Sequence, residues 1–329
     1  MVRDTRFVLV LTANDDVHSD FVVARLRELE VPVLRVDPGS IANPESPYSV
    51  LVGDDDATFA LSIEGHLRNI DRSSVRSVFL RRPSDTMRPP SLQSDDIFRY
   101  FDSEARIVSD ALSRGPLSNV PWVNRPEHNR LAANKIGQLY EARRAGLRIP
   151  PTLITSKPSA AYDFYLSQQR DLVVKPASSA RPTDKMDDVV FTTRLGPDLD
   201  QHYFRNVRFG SSILQRRIEK TSDVRVAVVG DTVLGCEILS QTNVLGRTDW
   251  RAARAGLPQR VVEVPDFIGT ALSQLRRALT LETMHVDFAV DAEGAWWFLE
   301  TNPNGQWLWL ELEVGLPISA TLANRLMNA

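Results

Sequence analysis

The stretch that most constrains this chain runs from His285 to Trp309, HVDFAVDAEGAWWFLETNPNGQWLW. Two apolar runs, Phe288 to Val290 and Ala295 to Leu299, flank Asp-Ala-Glu-Gly, a sequence suited to a tight turn. The pattern predicts two strands joined as a hairpin. If the turn pairs Val290 with Ala295, Asp287 lies opposite Phe298. Side chains alternate along a strand, so Glu300 and Asn302 then fall on the face of Asp287. Two carboxylates and an amide oxygen would converge. An all-oxygen set suits a hard cation, most often magnesium travelling with a nucleoside triphosphate. The competing reading is a solvated hairpin whose acids face water. A slip of one residue in register would scatter the three groups.

Length and composition bound the rest. At 329 residues the chain has room for two or three domains. Hydrophobic content of 43% and charged content of 25% are those of an ordinary globular protein. A net charge of −3 supplies no general field for nucleic acid or an anionic membrane, so neither is expected as a partner. Cys236 is the single cysteine; it excludes an internal disulfide framework and fits a reducing, cytoplasmic location. Its apolar neighbours predict a buried, inert thiol. No apolar run approaches the ~20 residues of a membrane span, and the first residues lack a signal-peptide pattern. Only five of the 39 basic residues are lysine (Lys135, Lys157, Lys175, Lys185 and Lys220), which makes each worth inspecting.

The first ~115 residues read as α/β, with strands at Phe7–Thr12, Val33–Val36 and Val75–Leu80 and a helix from Asp20. The loop after the first strand, Thr-Ala-Asn-Asp-Asp, has no glycine and carries negative charge, so the dinucleotide fingerprint is absent. Tyr48–Val52 and Thr58–Ile63 read as a hairpin about Gly53–Asp56. Arg81 and Arg82 end the third strand before Pro83. They either clamp a carboxylate or phosphate or form a solvated surface pair, and period two lets at most one enter a given site. A helix follows from about Asp95 to Leu112, and a Pro- and Asn-rich boundary falls near Gly115 to Pro126. A helix from Arg130 to Ala145, with Leu131, Ile136, Leu139 and Ala142 on one face, carries Lys135. The strand LVVKP ends in Lys175, which either snorkels to water or is aimed at an anion. A polar loop, 178–188, follows. Ile213–Ile218 is a strand leading through Glu219 to Asp223. Asp223–Val229 and Thr232–Ile238 make a hairpin about Gly230-Asp231. A polar loop holds Thr248–Arg251 and Arg254, then a helix spans Asp266–Leu281, and a last helix begins after Pro317.

No single element is specific, but their order and spacing are. Asn124-Arg125-Pro126 with Asn134-Lys135, Val173-Val174-Lys175-Pro176, Asp223-Val224-Arg225, Asp287-Phe288 and Glu300-Thr301-Asn302-Pro303-Asn304-Gly305-Gln306-Trp307 resemble, in that order, the ATP-grasp carboxylate–amine ligases. Most of all they resemble the graspetide synthetases, the microviridin-type ligases that crosslink ribosomal precursor peptides. Leu80-Arg81-Arg82-Pro83 is similar to that subfamily's pre-grasp domain. The resemblance spans essentially the whole chain, and the Asn-Pro-Asn-Gly-Gln-Trp run is its most specific part.

The resemblance implies an α/β ATP-grasp fold: an N-terminal pre-ATP-grasp domain over 1–118, a central lobe over 119–212 and a C-terminal metal-binding lobe over 213–329. It implies that Lys135 and Lys175 contact the phosphates of ATP, that Gln215, Arg216, Ile218 and Glu219 form the adenine and ribose hinge, and that Asp223 lies by the nucleotide. Arg225 and Arg251 would face the γ-phosphate and an acyl phosphate. Asp287, Glu300 and Asn302 would hold two Mg2+ ions. Phosphoryl transfer needs positioning and charge neutralisation, which such residues supply without an enzyme nucleophile. The implied substrate is a precursor peptide with a leader and an acidic, hydroxylated core, acted on by a homodimer to give ω-esters or ω-amides. Arg81, Arg82 and Arg251 would suit its carboxylates. Trp296, Trp297, Trp307 and Trp309 read as core or pocket wall. One departure stands out: the loop after Lys175, residues 177–185, has no glycine where many ATP-grasp proteins cradle phosphate, so no nucleotide contact is assigned to it. Two other functions remain open. One is an amino-acid ligase acting on a protein or small acceptor. The other is a catalytically idle nucleotide- or peptide-binding protein, against which the intact acid set and both lysines argue.

Overall fold

The computed structural model describes residues 5–40, 47–53, 57–63, 66–177, 192–210, 212–253 and 256–329. The chain begins with β1 (Phe7–Leu11), α1 (Val17–Glu28), β2 (Val33–Val36), β3 (Tyr48–Val52), β4 (Ala57–Ile63), β5 (His66–Ile70), β6 (Val75–Leu80), α2 (Asp95–Arg114) and β7 (Trp122–Val123). A parallel sheet runs β2-β1-β6-β7. Its central strand β1 is the continuous apolar run FVLVL, as a strand covered on both faces requires. The anticipated hairpin forms as β3 and β4, and β5 adds a third antiparallel strand that local pattern did not reveal. Its turn, 54–56, lies outside the described residues.

The middle of the chain holds α3 (Pro126–Ala132), α4 (Lys135–Arg144), β8 (Thr152–Thr155), α5 (Pro158–Ser167), β9 (Leu172–Pro176), β10 (Thr193–Arg194) and β11 (Ser212–Arg216). The sheet order is β10-β9-β11-β8. The single helix expected over Arg130–Ala145 is instead two. Asn134 caps the second, its Oδ1 accepting from the backbone N–H groups of Ile136 and Gly137 at 3.0 and 3.1 Å. The break turns Leu131 and Ile136 outward, at 74% and 49% exposure, while Leu139 and Ala142 stay buried. Lys135 thus opens a helix rather than sitting inside one. Residues 178–191, with Lys185 and most of the glycine-free loop, lie outside the described residues, as does Arg254.

The last part is β12 (Lys220–Val229), β13 (Thr232–Ile238), β14 (Gln259–Val262), α6 (Asp266–Ala278), β15 (Thr283–Asp291), β16 (Trp296–Asn302), α7 (Leu308–Val314) and α8 (Ile318–Met327). Its five strands form an antiparallel sheet, β14-β13-β12-β15-β16. One face is apolar along its length: Val224, Val226, Val286, Phe288 and Phe298 pack against Leu272 and Leu275 of α6 and Ala142 of α4. The other face is divided. Ala227, Val229, Cys236 and Ile238 pack against α8 and, through it, against Val8, Val10 and Val22 of the N-terminal part. Further along the same face the side chains become charged. Cys236 is fully buried, and burial pushes its thiol up to about 11, so it is the inert thiol anticipated. Trp307 and Trp296 are core, whereas Trp309 stands half-buried beside Trp250 with ring centroids 5.3 Å apart. Among the described residues no helix is long and apolar enough to cross a membrane.

Candidate active site

The hairpin of β15 and β16 sets the geometry of the charged face. Its register differs from expectation. Val290 pairs with Trp296, not Ala295, and Phe288 pairs with Phe298. The cause is the turn: Asp291 N–H donates to Ala295 O at 3.2 Å, and Gly294 at φ +77° closes a three-residue loop. That shift by itself would send Glu300 into the apolar core with Phe288. A register irregularity between Asp287 and Phe288 then restores the face: Leu299 is the extra residue, and Asp287 pairs directly with Glu300 and His285 with Asn302. Asp287, Glu300 and Asn302 do share a face, while Phe298, expected there with them, is in the core. Gln138 of α4 holds the outer edge of β16 between them, its amide donating to Thr301 O at 2.8 Å and accepting from Thr301 N at 3.1 Å.

Cations converge on this pair from four elements. Arg225 of β12 donates through Nη1 to both oxygens of Asp287, at 2.8 and 3.0 Å. Arg251 reaches Glu300 Oε1 at 3.0 Å, and Lys135 Nζ lies 3.3 Å from Glu300 Oε2. Burial raises the Glu300 pKa, but Arg251, Lys135 and Lys175 outweigh it and hold the carboxyl below its usual range. At Asp287 burial wins and pushes the carboxyl up against the pull of Arg225. Lys175 donates to Gln215 Oε1 at 2.8 Å, and Gln215 is steadied in turn by donating to Thr152 Oγ1 at 2.9 Å. Burial lowers Lys175 to about 8. It is therefore aimed inward rather than snorkelling.

Lys175, Gln215, Arg216, Ile218, Asp223, Arg251, Asp287 and Glu300 line one cleft between the β9–β11 sheet and the large sheet. Glu219 is exposed and outside that lining. Beyond Asp287 and Glu300 lies a second cavity of about 500 Å³, walled by Ile238, Leu257, Trp250 and Trp309 and edged by Arg82, Arg225 and Asn302. The two hollows share Trp250, Arg251, Asp287 and Glu300. Arg81 does not enter either. It is buried beneath the Asn-Pro-Asn-Gly loop and donates to the carbonyls of Asn304 and, at 3.0 Å, Gly305. Arg82 also donates to Asn304 O, at 3.0 and 3.2 Å, but keeps its place at the cavity edge. So one member of the pair reaches the site, and the other is committed to holding a loop.

For two residues of the cleft the sequence offered no role beyond the scarcity of lysine and the neighbourhood of Arg251. Lys220 is buried against Asp223, with Nζ 2.8 and 2.7 Å from its two oxygens, and donates to Thr248 O at 3.3 Å. Asp249 takes Arg251 in a two-pronged contact. Its position two residues before Arg251 was visible in the sequence, although the turn that closes the contact was not.

The donor set fits magnesium in kind. Asp287 and Glu300 oppose each other on adjacent strands with the Asn302 amide two pairs further on the same face, all of it oxygen, which is the chemistry a hard cation takes. Among the described residues no group of three His, Cys, Asp or Glu is gathered in metal-binding geometry. The set therefore depends on the amide as its third protein donor, and Asn302 Oδ1 already accepts from Asn304 N at 3.0 Å.

The fold is that of an ATP-grasp ligase, as the resemblance in the sequence implied. Three solved structures resemble it as follows. A RiPP-associated ATP-grasp ligase from Chryseobacterium gregarium, in complex with ADP and a leader and core peptide, matches with a TM-score of 0.88 at 22% identity, over 98% of this chain and 97% of that one. The macrocyclase MdnC from Microcystis aeruginosa MRC, bound with precursor peptide MdnA, matches at 0.85 and 22% identity, over 98% and 100% of the two chains. The macrocyclase MdnB of the same organism matches at 0.79 and 25% identity, with the same coverage. No family model and no curated protein matches the chain.

Proposed function

We propose that the chain is an ATP-dependent macrocyclase that crosslinks a ribosomal precursor peptide by activating Asp or Glu side-chain carboxylates. The observation that carries this is the pair of hollows meeting at one charged wall. A triphosphate suits the first, which is narrow and lined by cations. A peptide side chain suits the second, of about 500 Å³ with aromatic and aliphatic walls. A carboxylate arriving from the second meets the terminal phosphate in the first at Arg251, Asp287 and Glu300.

The chemistry follows from that layout. The substrate carboxylate oxygen attacks the terminal phosphorus, the bond to ADP breaks, and an acyl phosphate forms. A hydroxyl or amine of the same peptide then attacks the acyl carbon, loses its proton, and displaces inorganic phosphate. Lys135, Lys175 and Arg251 neutralise charge on the transferring group, and Arg225 orients Asp287. Asp287, Glu300 and Asn302 would hold Mg2+, two ions by the family resemblance; bound metal supplies Lewis-acid neutralisation of the phosphate oxygens. Arg82, free of Arg81's burial, takes the incoming carboxylate. No Ser, Cys or His nucleophile is needed, and His285 is buried and held neutral, its pKa well below the ordinary value through burial and the neighbouring Arg225.

The test is intact mass of a candidate precursor, a short acidic peptide with Ser or Thr encoded beside this gene, after incubation with the protein, ATP and magnesium. Loss of one water per event with ADP formed supports the proposal, and alkaline hydrolysis then separates esters from amides. A gain of an amino-acid residue makes it an amino-acid ligase. An unchanged mass with nucleotide bound makes it a binding protein.

A further inference from the structure

We propose that Asp249 is the positioning residue that presents Arg251 to the terminal phosphate of the nucleotide. This rests on the ligase reading of the cleft.

Arg251 is carried by a segment with little regular structure. Among the described residues between β13 and β14 the helical parts are short 3-10 turns at Ser240–Thr242, Val244–Gly246 and Trp250–Ala253, and Val244 and Leu245 are 73% and 66% exposed. Trp250 packs beside Trp309, but that contact does not fix the neighbouring side chain, and an unrestrained arginine carries about 2 kcal/mol of rotamer entropy. The guanidinium is nevertheless fixed. Asp249 Oδ1 accepts from Nε at 2.8 Å and Oδ2 from Nη2 at 2.9 Å. This parallel fork fits a planar guanidinium and leaves Nη1 as the arm that points at Glu300. The exposures are opposite: the Asp249 side chain is 5% exposed, that of Arg251 45%. The carboxylate is the buried anchor and the arginine is the part presented to the cleft. Burial raises the Asp249 pKa, but its bonds to Arg251 outweigh that and keep it ionised.

Asp249 is itself tied to the nucleotide side of the cleft. Its Oδ2 accepts from Thr192 N at 3.3 Å, at the start of the segment leading into β10. The preceding carbonyl, Thr248 O, accepts from Lys220, which is locked on Asp223. The arginine's placement is thus set by strands on both sides of the cleft.

The experiment is calorimetric titration of the full chain, with magnesium, by ADP and by the β,γ-imido analogue of ATP. The variants are D249N, R251A and the double variant. D249N keeps an oxygen for the Arg251 backbone N–H, which donates to Oδ1 at 3.2 Å, and so preserves the turn. It loses the charge and one prong of the fork. A charge-assisted bond of this kind corresponds to about a tenfold change in affinity. The expected result is a loss of about tenfold for the imido analogue and less than about twofold for ADP, with the double variant binding like R251A. Equal loss for both nucleotides, or the same D249N effect in the R251A background, overturns the proposal. If D249N does not fold, R251K carries the test: it keeps the charge but cannot take the fork, and wild-type affinity for the imido analogue would refute it. Wild-type protein that binds neither nucleotide would overturn the ligase reading; Asp249 fails on its own account only where the wild type binds both.

Discussion

Breaking the Arg225–Asp287 pair should cost more than removing it. Both side chains are buried, at 7% and 9% exposure, and the Arg225 guanidinium spends Nη1 on Asp287 and Nη2 on Gln306 O. R225M leaves a buried carboxylate without its counter-charge and should destabilise by about 3–5 kcal/mol. D287N leaves an arginine in the same position and should cost a similar amount. The double variant R225M/D287N removes both charges and should return to within about 1 kcal/mol of wild type, because each single change is dominated by the ion left behind. Urea unfolding followed by tryptophan fluorescence gives the three values. The pH dependence has a definite sign. Without Arg225, burial raises the Asp287 pKa further above its unfolded value, so the folded state binds more protons and loses stability as pH rises through that range. The R225M deficit should therefore shrink as pH falls from 8 toward 5. A single-variant cost below about 1 kcal/mol, or additive costs in the double, would refute the reasoning.

Other parts of the site give sharper or simpler tests. G305A should lose catalysis and stability together, because a Cβ there would lie 2.5 Å from Arg225 Nη2 and 2.8 Å from His285 Cβ, and the second neighbour cannot yield; a melting point and turnover equal to wild type would sink this. Lys175, lowered to about 8 from 10.5, makes the unfolded chain hold the extra proton between those values, so stability should rise with pH across that window, and K175M should flatten the rise in pH-dependent urea titrations. Deleting Leu299 removes the extra residue of β16 and makes Phe298 and Glu300 neighbours, so regular alternation keeps Phe298 in the core and Glu300 on the face of Asp287; magnesium–ADP affinity within about threefold of wild type with the circular dichroism kept is the expected outcome, and a loss of more than about tenfold would show that the bulge itself shapes the site.

Much of the fold was legible because it is written locally. Buried strands such as FVLVL and LVVKP announce themselves as apolar runs. The hairpin of β12 and β13 announces itself by Gly230, whose φ of +55° the turn requires. The break at Asn134 was also readable as a cap before a helical run, and the continuous apolar spacing masked it. What local pattern does not carry is register. The turn after Val290 and the extra residue at Leu299 displace the hairpin by one residue each in the same sense; the total of two returns Glu300 and Asn302 to the expected face, whereas Phe298, which feels only the first, changes face.

The remaining gaps are long-range. Arg81 meets the Asn304 carbonyl across 223 positions of sequence, and Gln138 meets Thr301 across 163. In both cases a side chain that reads as surface or helix polarity is used to satisfy backbone groups of the strand and loop that carry the candidate metal donors. A bidentate amide on an edge strand and an arginine on two successive carbonyls each fix several torsions at once, which is what a site built from β16 and the loop after it needs. Those two residues touch neither hollow, so a search for functional residues by chemistry alone passes over Gln138 and misassigns Arg81 to substrate. The side chains that hold the machinery are distinguishable from those that form it only when the backbone's own hydrogen bonds are accounted for.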